Sequence, residues 1–347
     1  MATIGNQVLT FADWAKRVDD DYRVAAIVEL LSQTNEIMDD MLVMEANQPT
    51  GHKTTVRTGL PAATWRLLNF GIPVGKSHTA QIIDTIGNLE SESQIDVDLA
   101  ELNGNTPEFR LSEARAFLEG MNQQMAQTIF YGNTLVTPER FTGLSPRYNT
   151  ITPANAQTAA NVVNAGGTGA DNTSIWIMTW GADTTHGIFP KGKIGGLQHE
   201  DKGKWRVFDS NNNPYYAYVD HFKWELGLCV RDWRFNARIA NIDVSDLQTA
   251  SAANLINAMV RAMYRIPVMP AQATAIQTSD SDRVQESMGR VVIYANRVIR
   301  TYFDLQAMNK TNVLLRLEEF MGKVVTTFRG IPIRTCDQIL NTEAALV

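Results

Sequence analysis

Residues 106–133 read TPEFRLSEARAFLEGMNQQMAQTIFYGN, and they predict one long helix. Thr106 can cap the free amides of a first turn, and Pro107 suits that turn because its missing N–H is not needed there. Ala114, Phe117, Leu118, Met121, Met125, Ile129 and Phe130 recur at spacings of three and four and so line one face. Gly132-Asn133 ends the run. A helix over 107–131 would be a rod of about 37 Å at ~1.5 Å per residue, long enough to act as the spine of a flat domain.

The chain ahead of this spine has two characters. From about Asp21 to Met44 the apolar positions Ile27, Leu30, Leu31, Ile37, Met38, Met41 and Leu42 repeat at helical spacing, and Thr10 with Asp13 has the separation of a capping box. Acidic side chains cover the opposite face, and no intrachain core is in view for the apolar one. Residues 1–45 are therefore expected to be an arm that needs a partner surface. From Glu45 to about Leu89 glycine and proline recur (Pro49, Gly51, Gly59, Pro61, Gly71, Pro73, Gly75, Gly87) between short β-favouring pieces at 54–58 and 64–68. A long polar excursion of this kind, with few core formers, reads as a loop reaching outside its own domain. Ile95, Val97 and Leu99 alternate with polar residues as in a half-buried strand, a short helix being the alternative.

Behind the spine lies a Thr/Asn/Ala/Gly-rich connector up to Asp171, then the buried strand Ser174–Trp180. Trp205–Phe208 and Tyr215–Val219 flank Ser210-Asn211-Asn212-Asn213-Pro214, a hairpin signal. Phe222, Trp224, Leu226, Leu228 and Val230 alternate with polar or small residues as a long strand, and 233–242 continues in that style. The last third mixes helices (about 247–264 and 294–308) with strands (290–293, 323–328 and 331–335). The class is α+β.

Net charge is −6, and residues 1–50 account for all of it, with nine acids against Lys16, Arg17 and Arg23. The rest of the chain is neutral, which disfavours specific nucleic-acid binding, since that needs a basic patch. No apolar run approaches the roughly 18 residues that would span a bilayer, and the N-terminus lacks the pattern of a secretion signal. Cys229 and Cys336 read as buried free thiols. Gly71–Ser77 imitates a phosphate loop, but it has three residues rather than four between its glycines, a proline among them, and no strong helix behind. His52, His78, His186, His199 and His221 show no paired zinc-ligand spacing and read as surface or turn histidines. Asp19-Asp20-Asp21 and Asp39-Asp40 lack a calcium-loop context, and no Gly-x-Ser-x-Gly elbow occurs. No catalytic residue, cofactor or metal ligand is expected. Most tryptophans read as core; Trp14 and Trp65, in coreless stretches, read as partner contacts.

Five stretches carry a resemblance to a known family. FADWAKRVDDDYRVAAIVELLSQTNEIMDDMLVMEANQPTGHKTTVRTGLPAATWRLLNFG (11–71), DLAELNGNTPEFRLSEARAFLEGMNQQMAQTIFYGN (98–133), GGTGADNTSIWIMTWGADTTHGIFPKG (166–192) and YVDHFKWELGLCVRDWRFNARIANID (218–243) resemble the major capsid proteins of short-tailed bacteriophages. GIPIRTCDQIL (330–340) is a less specific ending shared among tailed-phage shells. The resemblance implies the Hong Kong 97-like capsid fold, divided into an N-terminal arm (1–45), an extended loop (46–95), a peripheral domain around the spine (96–245) and an axial domain (246–347). In many such proteins the long peripheral strands come last; here 222–242 precede the axial-type ending, so a permuted connectivity is expected.

What the resemblance implies about function is shell building. Copies would assemble as hexamers and pentamers into an icosahedral shell around double-stranded DNA, touching that DNA non-specifically at most. Scaffolding, portal and decoration proteins are the implied partners, with no membrane and no small-molecule substrate. The site would be the virion, after synthesis in the host bacterial cytoplasm. Contacts between subunits are expected at Trp14, Arg57, Trp65 and Arg66. An encapsulin-type nanocompartment shell is the alternative within the fold, and a soluble phosphate-binding α+β enzyme the alternative outside it.

Overall fold

The computed structural model describes residues 9, 32–102, 104–209, 211–249, 253–267, 289–308, 315–320 and 323–347. Residues 21–31 of the expected Asp21–Met44 helix lie outside these residues, as does Trp14.

The spine is present as helix α3 (Thr106–Tyr131), 26 residues long, which at ~1.5 Å per residue is about 39 Å. Its ends differ in detail from expectation. Thr106 is already helical, and its hydroxyl donates to Ala100 O (3.1 Å). Gly132 keeps an ordinary right-handed φ of −54°. It is needed for space instead, because a Cβ there would sit 2.3 Å from Phe141 O and 2.6 Å from Thr128 O.

Phe109, Met121, Met125, Ile129 and Phe130 are buried, while Phe117 and Leu118 are partly exposed. They meet strands β3 (His78–Asp96) and β8 (Pro214–Val230), paired antiparallel from Asp96↔Ala217 to Ile86↔Gly227. Phe117 stacks on Phe222 with ring centroids 6.2 Å apart, and Met125 shares a core with Leu226 and the partly buried Trp224. The long alternating strand and the spine therefore pack together, as the sequence predicts. On its other edge β8 pairs first with β7 (Leu197–Phe208), across the expected hairpin, and then with β6 (Thr185–Phe189). Asn212 supplies the left-handed residue of that hairpin, with φ +63°, and Asp209 Oδ1 accepts the amides of Asn211 (2.9 Å) and Asn213 (2.7 Å).

The other pole is organised by β5 (Asn172–Trp180), buried at every position. Strands β9 (Ala237–Asp243) and β10 (Arg290–Ala295) pair antiparallel on its two edges. Because successive side chains point to opposite faces, Trp176, Met178 and Trp180 join the core under the spine. Ile175 and Ile177 join a second core with helices α4 (Leu255–Met263) and α5 (Arg297–Met308) and strand β13 (Ile331–Thr335). Strand β4 (Val162–Asn164) pairs parallel with β9, β13 parallel with β10, and β12 (Lys323–Phe328) and β11 (Leu315–Phe320) extend from β13. Strands β4, β5 and β9 thus share a core with α4, α5, β10 and β13, so the sheet does not divide at residue 245.

Several local expectations are corrected. Residues 37–40 form the short helix α1 (Ile37–Asp40), and 43–45 form strand β1 (Val43–Glu45), parallel to β6. Ile37 is 0% exposed in the main core and Met41 is buried beside it, so this stretch has an intrachain core after all. Val97–Glu101 is helix α2, not strand, started by Asp96 accepting the Asp98 amide (2.9 Å). Residues 64–68 are not strand. Short 3-10 turns occupy Trp233–Phe235 and Ser245–Gln248, so β9 and α4 begin later than the pattern suggested. Tyr294 ends in β10, and α5 begins at Arg297. Both cysteines are free and buried, as expected.

Three substitutions test this packing by the yield of soluble folded subunits and, where these form, by their denaturant unfolding. Met121 is 4% exposed, and Met121→Asp would bury an unpaired carboxylate at a cost of several kcal/mol, against a total of about 5–15 kcal/mol; we expect no soluble folded chain. The neighbouring Gly120 is exposed with nothing within 4 Å of an added Cβ, so Gly120→Ala should stabilise by about 0.5–1 kcal/mol. Ile37→Ala should cost about 2–5 kcal/mol; a cost near zero would return this segment to a free arm.

Candidate functional site

Strand β2 (Gly51–Gly59) pairs antiparallel with the first part of β3, from Gly51↔Thr85 to Gly59↔His78, making a hairpin that projects from the body. Its root is rigid. Asn47 Oδ1 accepts the Lys53 amide (2.8 Å) and its Nδ2 donates to Lys53 O (2.7 Å). Asp84, buried in β3, pairs with Arg147 Nη2 at 2.7 Å, and that guanidinium also donates to the carbonyls of Thr142 (3.2 Å), Gly143 (3.2 Å) and Leu228 (3.3 Å). A Cβ on Gly51 would lie 2.5 Å from Asp84 O, so the two strands approach closely only because residue 51 is glycine.

The tip, residues 60–77, is built in the opposite way. It carries no helix or strand, and its one turn closes with Phe70 N–H donating to Leu67 O (3.2 Å), Asn69 sitting at φ +69°. Leu60, Trp65, Leu67, Leu68, Phe70, Ile72 and Val74 are all exposed, Trp65 and Val74 completely at 101%. Single exposed apolar residues are ordinary on a protein surface; a contiguous set rimmed by polar residues marks an interaction surface. Arg57 and Arg66 are exposed along the same projection. Of the four contact candidates, three thus lie together on one projection, and Trp14 lies outside the described residues. Gly71–Ser77 runs as exposed extended chain into β3 with no helix behind it, so no helix amides converge there to hold a phosphate.

Two features escaped the sequence reading. Trp205 on β7 is exposed rather than core. More important, His52, His186 and Cys229 come together where the hairpin joins the body: one ligand atom from each lies within 4.8 Å of the others, and the two imidazoles meet edge to face at 5.6 Å. His186 is 2% exposed, which corrects its reading as a surface or turn residue. Burial pushes both imidazoles down and the Cys229 thiol up, so all three are held neutral. No helix among the described residues is long and apolar enough to cross a membrane.

The family model of the major capsid protein GP7 matches residues 19–347. No curated protein matches the chain. Among solved structures, a chain of bacteriophage Epsilon15 is 37% identical with a TM-score of 0.74, the match covering 100% of this chain and 99% of that one. The capsid of bacteriophage JBD30 is 10% identical with a TM-score of 0.46, covering 89% of this chain and 92% of that one. The SrpI encapsulin of Synechococcus elongatus PCC 7942 is 10% identical with a TM-score of 0.39, covering 67% of this chain and 96% of that one. The α+β architecture is that of the Hong Kong 97-like capsid fold, as the resemblance implied, and the nanocompartment reading is not favoured. With the match running from residue 19 to the end and the Epsilon15 chain superposing over the whole length, this chain belongs to the major capsid protein GP7 family.

Proposed function

We propose that this tailed-phage major capsid protein closes its shell by laying the hairpin tip, residues 60–77, on a neighbouring subunit, with Trp65 as the main anchor and Arg57 and Arg66 beside it. The observation that carries this is the contrast between root and tip. A root pinned by a buried ion pair holds a tip whose large apolar side chains have no cover in their own chain. Covering such a set against a second copy gains roughly 25 cal/mol per Å² of apolar surface removed from water, and a prepositioned root lowers the ordering cost of doing so. Hexamers and pentamers around double-stranded DNA follow from this reading, and a charge-neutral body beyond the acidic N-terminal stretch lets DNA enter without adhering. The protein works without catalysis, in the virion, after synthesis in the host cytoplasm; scaffolding, portal and decoration proteins are its further partners.

The same reading sets the parts of the chain. The arm ends before Ile37, since Ile37 and Met41 belong to the body. The peripheral unit is α3 with the long strands β3, β7 and β8. The axial unit combines β4, β5 and β9 with α4, α5 and strands β10 to β13, so the chain visits the peripheral sheet midway and returns.

The test is a double substitution, Trp65→Ser with Leu68→Ser. Surface changes of this kind usually alter stability by no more than about 0.5 kcal/mol, so the isolated subunit should unfold at an unchanged denaturant midpoint. Sedimentation and electron microscopy should find subunits or small oligomers in place of closed shells. Normal shells from the double variant would refute the assignment of the tip.

A further inference from the structure

We propose that His52, His186 and Cys229 form a binding site for a divalent transition ion of the zinc class, placed where the hairpin is rooted in the body. The three residues come from three strands: His52 from β2, His186 from β6 and Cys229 from β8, the last two being direct cross-strand partners. Two imidazole nitrogens and one thiolate are a borderline-soft donor set, which favours zinc over magnesium or calcium. The donor atoms lie within 4.8 Å of one another. Zinc bonds of about 2.0–2.3 Å would set them roughly 3.3–3.8 Å apart, so binding needs the donors to draw together by about 1 Å.

An independent observation points the same way. His186 Nδ1 is buried without a hydrogen-bond partner, although buried polar atoms in folded proteins nearly always have one. A metal ion would satisfy that lone pair. His52 Nδ1 accepts the Asn47 amide at a long 3.3 Å; ligation requires this contact to be given up, so that the ring's one lone pair can face the ion. Asp84, opposite His52 in the β2–β3 register, gives one oxygen to Arg147 and lies within reach of the Cys229 thiol; once that thiol's proton has left, its charge helps to balance a cation. Arg231 opposes it nearby, but is paired with Asp183 at 2.8 Å. A neutral buried thiol must lose its proton on binding, and the ion's own charge supplies the drive. The fourth position would fall to water or to Asp84. Such an ion would clamp strand β2 to the body. The site rests on its own geometry, whatever the tip contacts.

The probe is Co²⁺ alone, added to the purified full-length chain and followed by equilibrium dialysis and absorption spectroscopy. Wild type should take up about one ion per chain, with the sulfur-to-cobalt charge-transfer band of a thiolate ligand and the intense visible bands of a tetrahedral site. His52→Ala changes a part-exposed residue and should leave the fold intact by circular dichroism, while weakening binding on the order of 100-fold or more, since even outer partners of metal ligands are worth 10–100-fold. Cys229→Ser should abolish the charge-transfer band; if that variant does not fold, the His52→Ala comparison decides. Uptake by His52→Ala equal to wild type, cobalt bound without a thiolate band, or no uptake by wild type would each overturn the site.

Discussion

The guanidinium of Arg238 is 2% exposed, and a charge so placed must be matched or the fold cannot hold it. The match is drawn from all over the chain. Glu343 Oε2 lies 2.9 Å from Nη2, Ser174 Oγ is 3.0 Å from Nε, and Tyr148 O accepts from Nη1 at 2.8 Å, while the face of Trp176 lies 4.8 Å away. Glu343 in turn accepts hydrogen bonds from Ser174 and from Tyr131 at the end of the spine, and Tyr131 receives the Leu340 amide (3.0 Å). The C-terminal segment, the central strand, β9, the loop after the spine and the spine itself therefore meet at one buried ion pair. Such a pair adds little net stability over well-packed apolar residues, but removing one partner is costly. Its effect here is to allow one arrangement of the five segments.

That fixed body explains how an exposed hairpin can be useful. Leu226, Leu228 and Val230 of β8 and Trp176 and Trp180 of β5 share one core with the spine, so β3, hydrogen-bonded along β8, leaves the body in a set direction. Arg147 and Asp84 hold the hairpin's first residues. At the tip, residues 60–77, every side chain is exposed and the large apolar ones face water. Rigidity at the root and apolar exposure at the tip are the combination that assembly between identical copies requires: the direction is settled before contact, and the contact supplies the burial.

Much of this was legible in the sequence wherever one periodicity governed a long stretch. The spine's three-and-four spacing, the strict alternation of 222–230 and the Asn-rich turn at 211–213 each announced their element, whereas the 19-residue strand His78–Asp96 lay hidden in what read as a loop up to residue 89. Local pattern misled where tertiary packing chose between options. Ile37 and Met41 have helical spacing, yet Val43–Glu45 turns to strand because β6 offers a free edge. Val97 and Leu99 alternate like a strand, yet Asp96 caps a helical turn. The Arg238–Glu343 pair and the His52–His186–Cys229 cluster left no local signal at all. Their members are far apart in the chain, and only strand register brings them together.

The central claim is that the hairpin tip is uncovered in the subunit and covered in the shell. Backbone amide hydrogen exchange, compared between dissociated subunits and assembled shells, reads this segment by segment. The account predicts fast exchange across residues 60–77 in subunits, where almost none of these amides has a partner, and marked protection of the same residues in shells, with β2 and β3 near the root protected in both. Fast exchange of the tip in closed shells, or protection already complete in free subunits, would contradict it.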